Sequence, residues 1–300
     1  MTEHRHAPFA LDDEPVLRWQ LGPVRVTRVV EGVTTFPVSI FLPGLTDQHI
    51  AACAGWAGPY LTADHSGLRL SAHSFIVETP TTTIVVDTCV GTHRPQIMGT
   101  DPTFLERLTA TLDGGREAVD AVVCTHLHFD HVGVNTVRAD DGTLRPTFPN
   151  ARYFVSTAEL EATLADDHMG IVDDHVQPLL DAECLDAVAP DHRIDEWVSL
   201  MPTPGHSPGH VCVRIDTPEG SGLITGDATH SPLQFTYPEV SAEIADHDSD
   251  EATRSRQRLL DDLVGTDTVV LGTHFPTPTA GRLVDGELVT FDPVDHQPTD

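Results

Sequence analysis

Between Thr125 and Gly133 the chain reads THLHFDHVG, which crowds His126, His128, Asp130 and His131 into a single short segment. Imidazoles and a carboxylate without neighbouring thiolates are donors suited to zinc, with manganese, iron or cobalt as the other candidates. In an extended segment His126 and His128 project to the same side. A turn at Phe129 and Asp130 would then swing Asp130 and His131 toward a second point nearby.

Further donors recur at the ends of apolar runs. AVVCTH delivers His126, GLITGD delivers Asp227 and VVLGTH delivers His274, while the loop MPTPGHSPGH offers His206 and His210 just ahead of VCVRID. Pro and Gly keep that loop off any helix. His126, His128, Asp130, His131, His206, Asp227 and His274 make seven donors, more than one tetrahedral ion uses. Two divalent ions sharing a carboxylate would use them all, with room for a water between the ions.

The elements that must position these donors are short and mixed. Strands are expected at VRVTRVV from Val24, HSFIVE from His73, TTIVVD from Thr82, DAVVCTH from Asp120 and RYFVS from Arg152. Three more are expected at VCVRID from Val211, SGLITGD from Ser221 and DTVVLGTH from Asp267. Helices are expected at DPTFLERLTATL from Asp101, at STAELEATLADD behind a Ser156 cap, and from Asp248 to Gly265. The last is read as acidic at its start and basic toward its end, in keeping with the helix dipole. Strands alternating with helices on this scale imply an α/β layered architecture.

The 300 residues carry 46 acidic and 17 basic side chains, a formal charge of −29, and every basic residue is arginine. Such a surface repels nucleic acid and anionic membranes. Five scattered cysteines without a CxxC pair give no disulfide framework and no thiolate zinc site. Cys124 and Cys212, inside apolar runs, are read as core. The N-terminus lacks an apolar signal run, no stretch is long enough to span a bilayer, and a cytoplasmic location is expected.

The four ordered motifs HLHFDH, GHSPGH, LITGD and LGTH together resemble the metallo-β-lactamase superfamily over roughly residues 70 to 280. The resemblance implies an αββα sandwich of two mixed sheets flanked by helices. By the same resemblance one ion would be held by His126, His128 and His206 and the other by Asp130, His131 and His274, with Asp227 bridging. Asp87 would support the metal loop from behind, and His210 would be a supporting rather than a ligating histidine. Residues 1–300 are then one domain, with 71–290 as the metal-binding core. Residues 1–70 become an N-terminal extension whose strands form a pocket lid or a dimer contact.

Within the superfamily, histidine at position 128 departs from the oxygen-reducing di-iron branch, and the bridging Asp227 departs from the zinc β-lactamases. Nuclease branches carry inserts or basic arms that this acidic chain lacks. Glyoxalase-II-type thioesterases share the seven ligands, but their glutathione carboxylates want a basic pocket, and after residue 260 only Arg282 is basic. The segment GDATHSPLQFTYPEV, with His230, Gln234, Phe235 and Pro238, resembles the methyl-parathion-hydrolase-like branch beside the quorum-quenching lactonases.

The implied activity is hydrolysis of a neutral, hydrophobic ester or lactone, such as an acyl-homoserine lactone, by a hydroxide held between the metals. Organophosphate triesters and thioesters are the alternatives, and a metal-dependent sensor is the non-enzymatic one. Asp130 is assigned to proton transfer, Asp227 to the bridge and His230 to the substrate side. Phe129, Phe235 and Phe275 are assigned to an apolar substrate wall. Trp56 and Tyr60 are assigned to a lid or a homodimer contact. A covalent serine hydrolase is set aside because no GxSxG elbow is read.

Overall fold

The computed structural model describes residues 11–91 and 101–297. His4, His6 and His93, expected as surface or structural histidines, lie outside the described residues.

All eight expected strands form. Sheet one has seven strands in the order β1 (Val16–Leu21), β2 (Val24–Pro37), β3 (Gly67–Glu78), β4 (Thr83–Val86), β5 (Ala121–Val123), β8 (Arg152–Ser156) and β9 (Leu185–Val188). β6 (Thr136–Arg138) and β7 (Leu144–Pro146) make a separate hairpin. Sheet two runs β10 (Val198–Pro202), β11 (Val211–Thr217), β12 (Gly220–Ile224), β13 (Val269–Leu271), β14 (Ala280–Val284) and β15 (Thr290–Pro293). Both sheets are mixed. The pairs β4–β5, β5–β8, β8–β9 and β12–β13 are parallel and the others antiparallel.

Side-chain parity along the strands builds the layers. Ile84, Val86, Ala121 and Val123 of sheet one meet Val213, Ile224, Val269 and Leu271 of sheet two in one shared core. The intervening Val85 and Val122 point to the opposite face, where Phe104 and Leu108 of the helix Phe104–Thr111 cover them. In sheet two, Leu223 and Val270 likewise face outward onto Leu259, Leu260 and Leu263 of the helix Ser249–Leu263. Helix, sheet, sheet, helix is thus the consequence of strands apolar on both faces.

Residues 16–37 are built into sheet one as β1 and β2, with Leu17, Trp19, Val24 and Val26 in the shared core. This part of the N-terminal extension is therefore scaffold, not a lid. The expected charge order of the last long helix also needs correction. It starts on an Asp248 cap whose side chain accepts from Glu251 N–H at 2.9 Å, but its last turn carries Asp261 and Asp262 and no base. Its arginines lie mid-helix, and Arg256 points inward and is wholly buried.

Sheet one also buries an acid. Glu31 sits at the bulge between Val30 and Gly32 of β2, where its Oε2 accepts from Val90 N–H at 2.8 Å and its Oε1 has no hydrogen-bond partner among the described residues. Burial pushes its carboxyl up to about 8, against the opposing pull of the Val90 and Gly91 amides. A folded pKa above the unfolded one means stability is complete below about pH 4.5 and is lost as pH rises toward 8. Glu31→Gln, which cannot ionise, should therefore be more stable than the parent by roughly 5 kcal/mol near pH 9 and about equal to it near pH 4.5. Melting curves at the two pH values check this, and a pH-independent difference would remove the buried proton from the account.

Candidate metal centre

The donors gather where strands end. β5, β12 and β13 finish at Val123, Ile224 and Leu271, and the chain then turns into His126, Asp227 and His274 at one edge of the sandwich. After His128, which stands as N-cap, residues Phe129–Val132 form a single helical turn, so Asp130 and His131 swing away from the His126–His128 direction. The seven donors and His230 fall into four sets whose ligand atoms lie within 4.8 Å of one another: His126, His128, His206; His126, His131, Asp227; Asp130, His131, His274; and His206, Asp227, His230. Asp227 lies at their centre. Its Oδ2 is 3.3 Å from His206 Nε2 and 3.1 Å from His230 Nε2, and its Oδ1 is 3.3 Å from His131 Nε2 and 3.1 Å from His274 Nε2.

Three of the rings, those of His131, His274 and His206, are turned by a group behind them. Asp87, at the end of β4 with φ 55°, accepts from Thr125 N–H at 2.8 Å through Oδ1 and from His131 Nδ1–H at 2.9 Å through Oδ2. His274 Nδ1–H donates to Ser71 O at 2.9 Å, and His206 Nδ1–H donates to Asp246 Oδ1 at 3.1 Å. Once Nδ1 carries the proton, Nε2 presents its lone pair to the centre. His210 differs. Its Nε2 accepts from Asp227 N–H at 2.8 Å and its Nδ1 faces Thr203, so both nitrogens are committed, and burial pulls its pKa down to about 3. It supports Asp227 without being free to ligate. Gly226, at φ +50°, makes this possible, because a Cβ there would stand 2.5 Å from His210 Nε2.

The electrostatics test whether these residues suit a divalent cation. Burial holds His126 and His128 well below the usual imidazole range, so they are neutral donors. Burial would lower His131 and His274 as well, but the carboxylates of Asp227 and Asp130 outweigh it and raise both. Against its own burial, Asp227 is held well below the usual carboxylate range by His131, His274, His230 and His206. Among the described residues, His126 Nε2, His131 Nε2 and Asp227 Oδ1 are buried without a hydrogen bond of proper geometry. Ionised carboxylates among inward-facing, unsatisfied imidazole nitrogens are the donor set of a divalent metal centre.

Sequence reading missed three groups. Glu159, 2% exposed, accepts from Leu127 N–H at 2.9 Å, Ser207 Oγ–H at 2.6 Å and Gly209 N–H at 3.0 Å, which ties the His126 loop to the His206 loop. Asp246 and Arg256 stand behind His206, where the Asp246 carboxylate lies 3.6 Å from Arg256 Nη1. The letters GHSPG from Gly205 do spell GxSxG. The segment nevertheless joins two antiparallel strands, and Ser207 is buried against Glu159, so it is no nucleophile elbow.

The assigned apolar wall is mostly core. Phe235, Phe275 and Tyr60 are at most 1% exposed and pack with Phe291, and Tyr60 OH donates to Pro278 O at 2.9 Å. No surface remains on them to meet a substrate. Trp56 lines a shallow cleft with Pro59, Pro278 and Phe291 that contains none of the clustered donors. Phe129 is half-buried against the Leu127 and Val132 cluster. The cleft that does reach the donors, about 310 Å³, is lined by His128 and His206 together with Leu127, Met169, Ile244 and His247.

The metallo-β-lactamase superfamily model matches residues 67–140 and 185–274, more than half of the chain. An N-acyl homoserine lactonase of Bacillus thuringiensis is 32% identical over 139 residues, 46% of this chain and 48% of that protein. The chain thus spans about half the length of such relatives. Among solved structures, the hydrolase AbOPH of the beta lactamase superfamily superposes with a TM-score of 0.78 at 22% identity, over 95% of this chain and 99% of that one. AidC, a dizinc quorum-quenching lactonase, gives 0.75 at 21% identity, over 96% and 99%. At these identities the structural likeness speaks for the fold. Among the described residues no helix is long and apolar enough to cross a membrane.

Proposed function

The chain belongs to the metallo-β-lactamase superfamily, and from that premise we propose that it is a dinuclear-metal hydrolase that opens a neutral, hydrophobic lactone or ester. The observation carrying this reading is the set of overlapping donor groups that share Asp227. His126, His128 and His206 would hold one ion, Asp130, His131 and His274 the other, and Asp227 would bridge them. Zinc is favoured by the imidazole-rich donor set and by the dizinc relative. When bound, the pair would supply Lewis acidity toward a substrate carbonyl and lower the pKa of a nearby water.

The chain's own residues divide the remaining work. Asp130 is the most open of the carboxylates, its side chain 16% exposed, with Oδ2 3.7 Å from both His131 Nε2 and His274 Nε2. It is the group placed to pass a proton to the leaving alkoxide. His230 stacks on His274 at 5.4 Å and directs Nε2 to Asp227, while Gln234 Oε1 accepts its backbone N–H at 2.7 Å. It holds the Asp227 carboxylate in place from the side nearest Phe41.

Elemental analysis after metal-replete expression should find close to two transition-metal ions per chain, since seven donors exceed one tetrahedral shell. Chelation should abolish lactone hydrolysis, and the same divalent ion should restore it. One ion or none would sink the dinuclear reading.

A further inference from the structure

We propose that Asp246 and Arg256 are positioning residues that hold the His206 ring, and through it one of the two ions, an inference that rests on the dinuclear reading above. His206 lies in a loop with no regular structure to fix it, between β10 and β11. Its orientation comes from the segment that follows Asp227. His247 N–H donates to His206 O at 3.0 Å and Asp248 N–H to Gly205 O at 2.8 Å, so the two backbones run together. At Gly205, with φ +132°, a Cβ would stand 2.1 Å from Ala252 N, which lets the long helix pack directly on this loop. The Asp246 side chain, 0% exposed, then accepts from His206 Nδ1–H through Oδ1 and from Ala242 N–H at 3.1 Å through Oδ2.

Arg256 carries the argument further. A wholly buried guanidinium is expensive to desolvate, and a leucine would cover the same helix face. Its hydrogen bonds show what it does instead. Nε donates to Pro238 O at 2.9 Å, Nη2 to Ser241 Oγ at 2.8 Å and to Thr253 Oγ1 at 3.2 Å, and Nη1 to Ala228 O at 3.4 Å. Nη1 also faces Asp246 Oδ2. Ala228 follows Asp227 in the chain. One side chain thus joins the loop of the bridging carboxylate to the carboxylate that orients His206.

A charged acceptor behind a ligating imidazole fixes its tautomer and raises its basicity, and losing such a partner lowers metal affinity roughly 10- to 100-fold. The test uses the full chain loaded with Zn²⁺, with transfer of the ions to a chelating dye measured at equilibrium, and with Co²⁺ absorption as a second readout. In Asp246→Asn, one ion should transfer 10- to 100-fold more readily and its Co²⁺ bands should shift, while the other ion and the melting temperature of the stripped protein stay as in the parent. Arg256→Lys keeps the charge but cannot span Pro238, Ala228 and Ser241 at once, so it should weaken the same ion by less. Unchanged affinity for both ions in Asp246→Asn would overturn the proposal. So would equal weakening of both ions together with a lower melting temperature, which is the mark of a merely structural pair. A parent protein that binds fewer than two ions would refute the dinuclear reading itself, and is seen without any variant.

Discussion

Asp227→Asn should lower kcat for lactone hydrolysis roughly a thousandfold, equivalent to about 4 kcal/mol of transition-state stabilisation. The physical reason lies in what surrounds the carboxylate. Four imidazole Nε2 atoms, those of His131, His206, His230 and His274, stand 3.1 to 3.3 Å from its oxygens, and their influence keeps it ionised despite complete burial. An amide occupies the same volume but offers a neutral oxygen to two cations and replaces the second oxygen with an N–H₂ that has no lone pair to give a cation. Folding should suffer much less. Removing the charge also lets His131 and His274, which it raises, fall back to neutrality, so no buried imidazolium is left unpaired near neutral pH. The measurement is kcat beside the melting temperature of the metal-free protein. Unchanged kcat would take Asp227 out of the site, and equal collapse of both quantities would make it a folding residue.

The parts of this site that could be read in advance are those whose signal is local. His126, His128, Asp130 and His131 share one segment, and strands buried on both faces appear as near-continuous apolar runs that end on a polar residue, as Ile224 and Leu271 lead to Asp227 and His274. The supporting residues have no such signal. Asp246 lies in IADHDSDEA, indistinguishable from a solvated acidic stretch, and its partner His206 is 40 residues upstream. Glu159 stands three residues after the Ser156 cap, where the local pattern sends a glutamate back to its own helix. Instead it reaches Leu127, Ser207 and Gly209, loops brought close only by the tertiary fold. Adjacency in sequence misleads in the opposite direction. Phe275 follows a candidate ligand, yet its ring turns away into the packing of Tyr60 and Phe291. Strands such as β9 and β15 are short and half-exposed, so their periodicity is too brief to be distinguished from loop.

Neutral lactones and esters should be hydrolysed with kcat/KM roughly 100-fold or more above anionic substrates of similar size, such as a glutathione thioester or a phosphate monoester. The cleft beside His128 and His206 is walled by Leu127, Ala162, Met169 and Ile244 and rimmed by the exposed carboxylates of Asp166 and Asp167, with no arginine among its lining residues. A carboxylate or phosphate would enter it without the guanidinium fork that such groups require. The whole chain adds to the repulsion through its charge of −29. Because part of the discrimination is long-range, raising ionic strength past about 0.15 M, where the Debye length is about 8 Å, should narrow the gap but not close it. Within the neutral series, each added acyl methylene that enters the cleft should raise kcat/KM about fourfold, the equivalent of about 0.8 kcal/mol of apolar burial, until the space is filled. Neutral phosphotriesters belong in the same panel, since their tetrahedral centre resembles the transition state of ester hydrolysis. If the anionic substrates were cleaved faster than every neutral lactone, ester and phosphotriester, the substrate assignment would fall. The metal centre, tested separately by ion content, would stand.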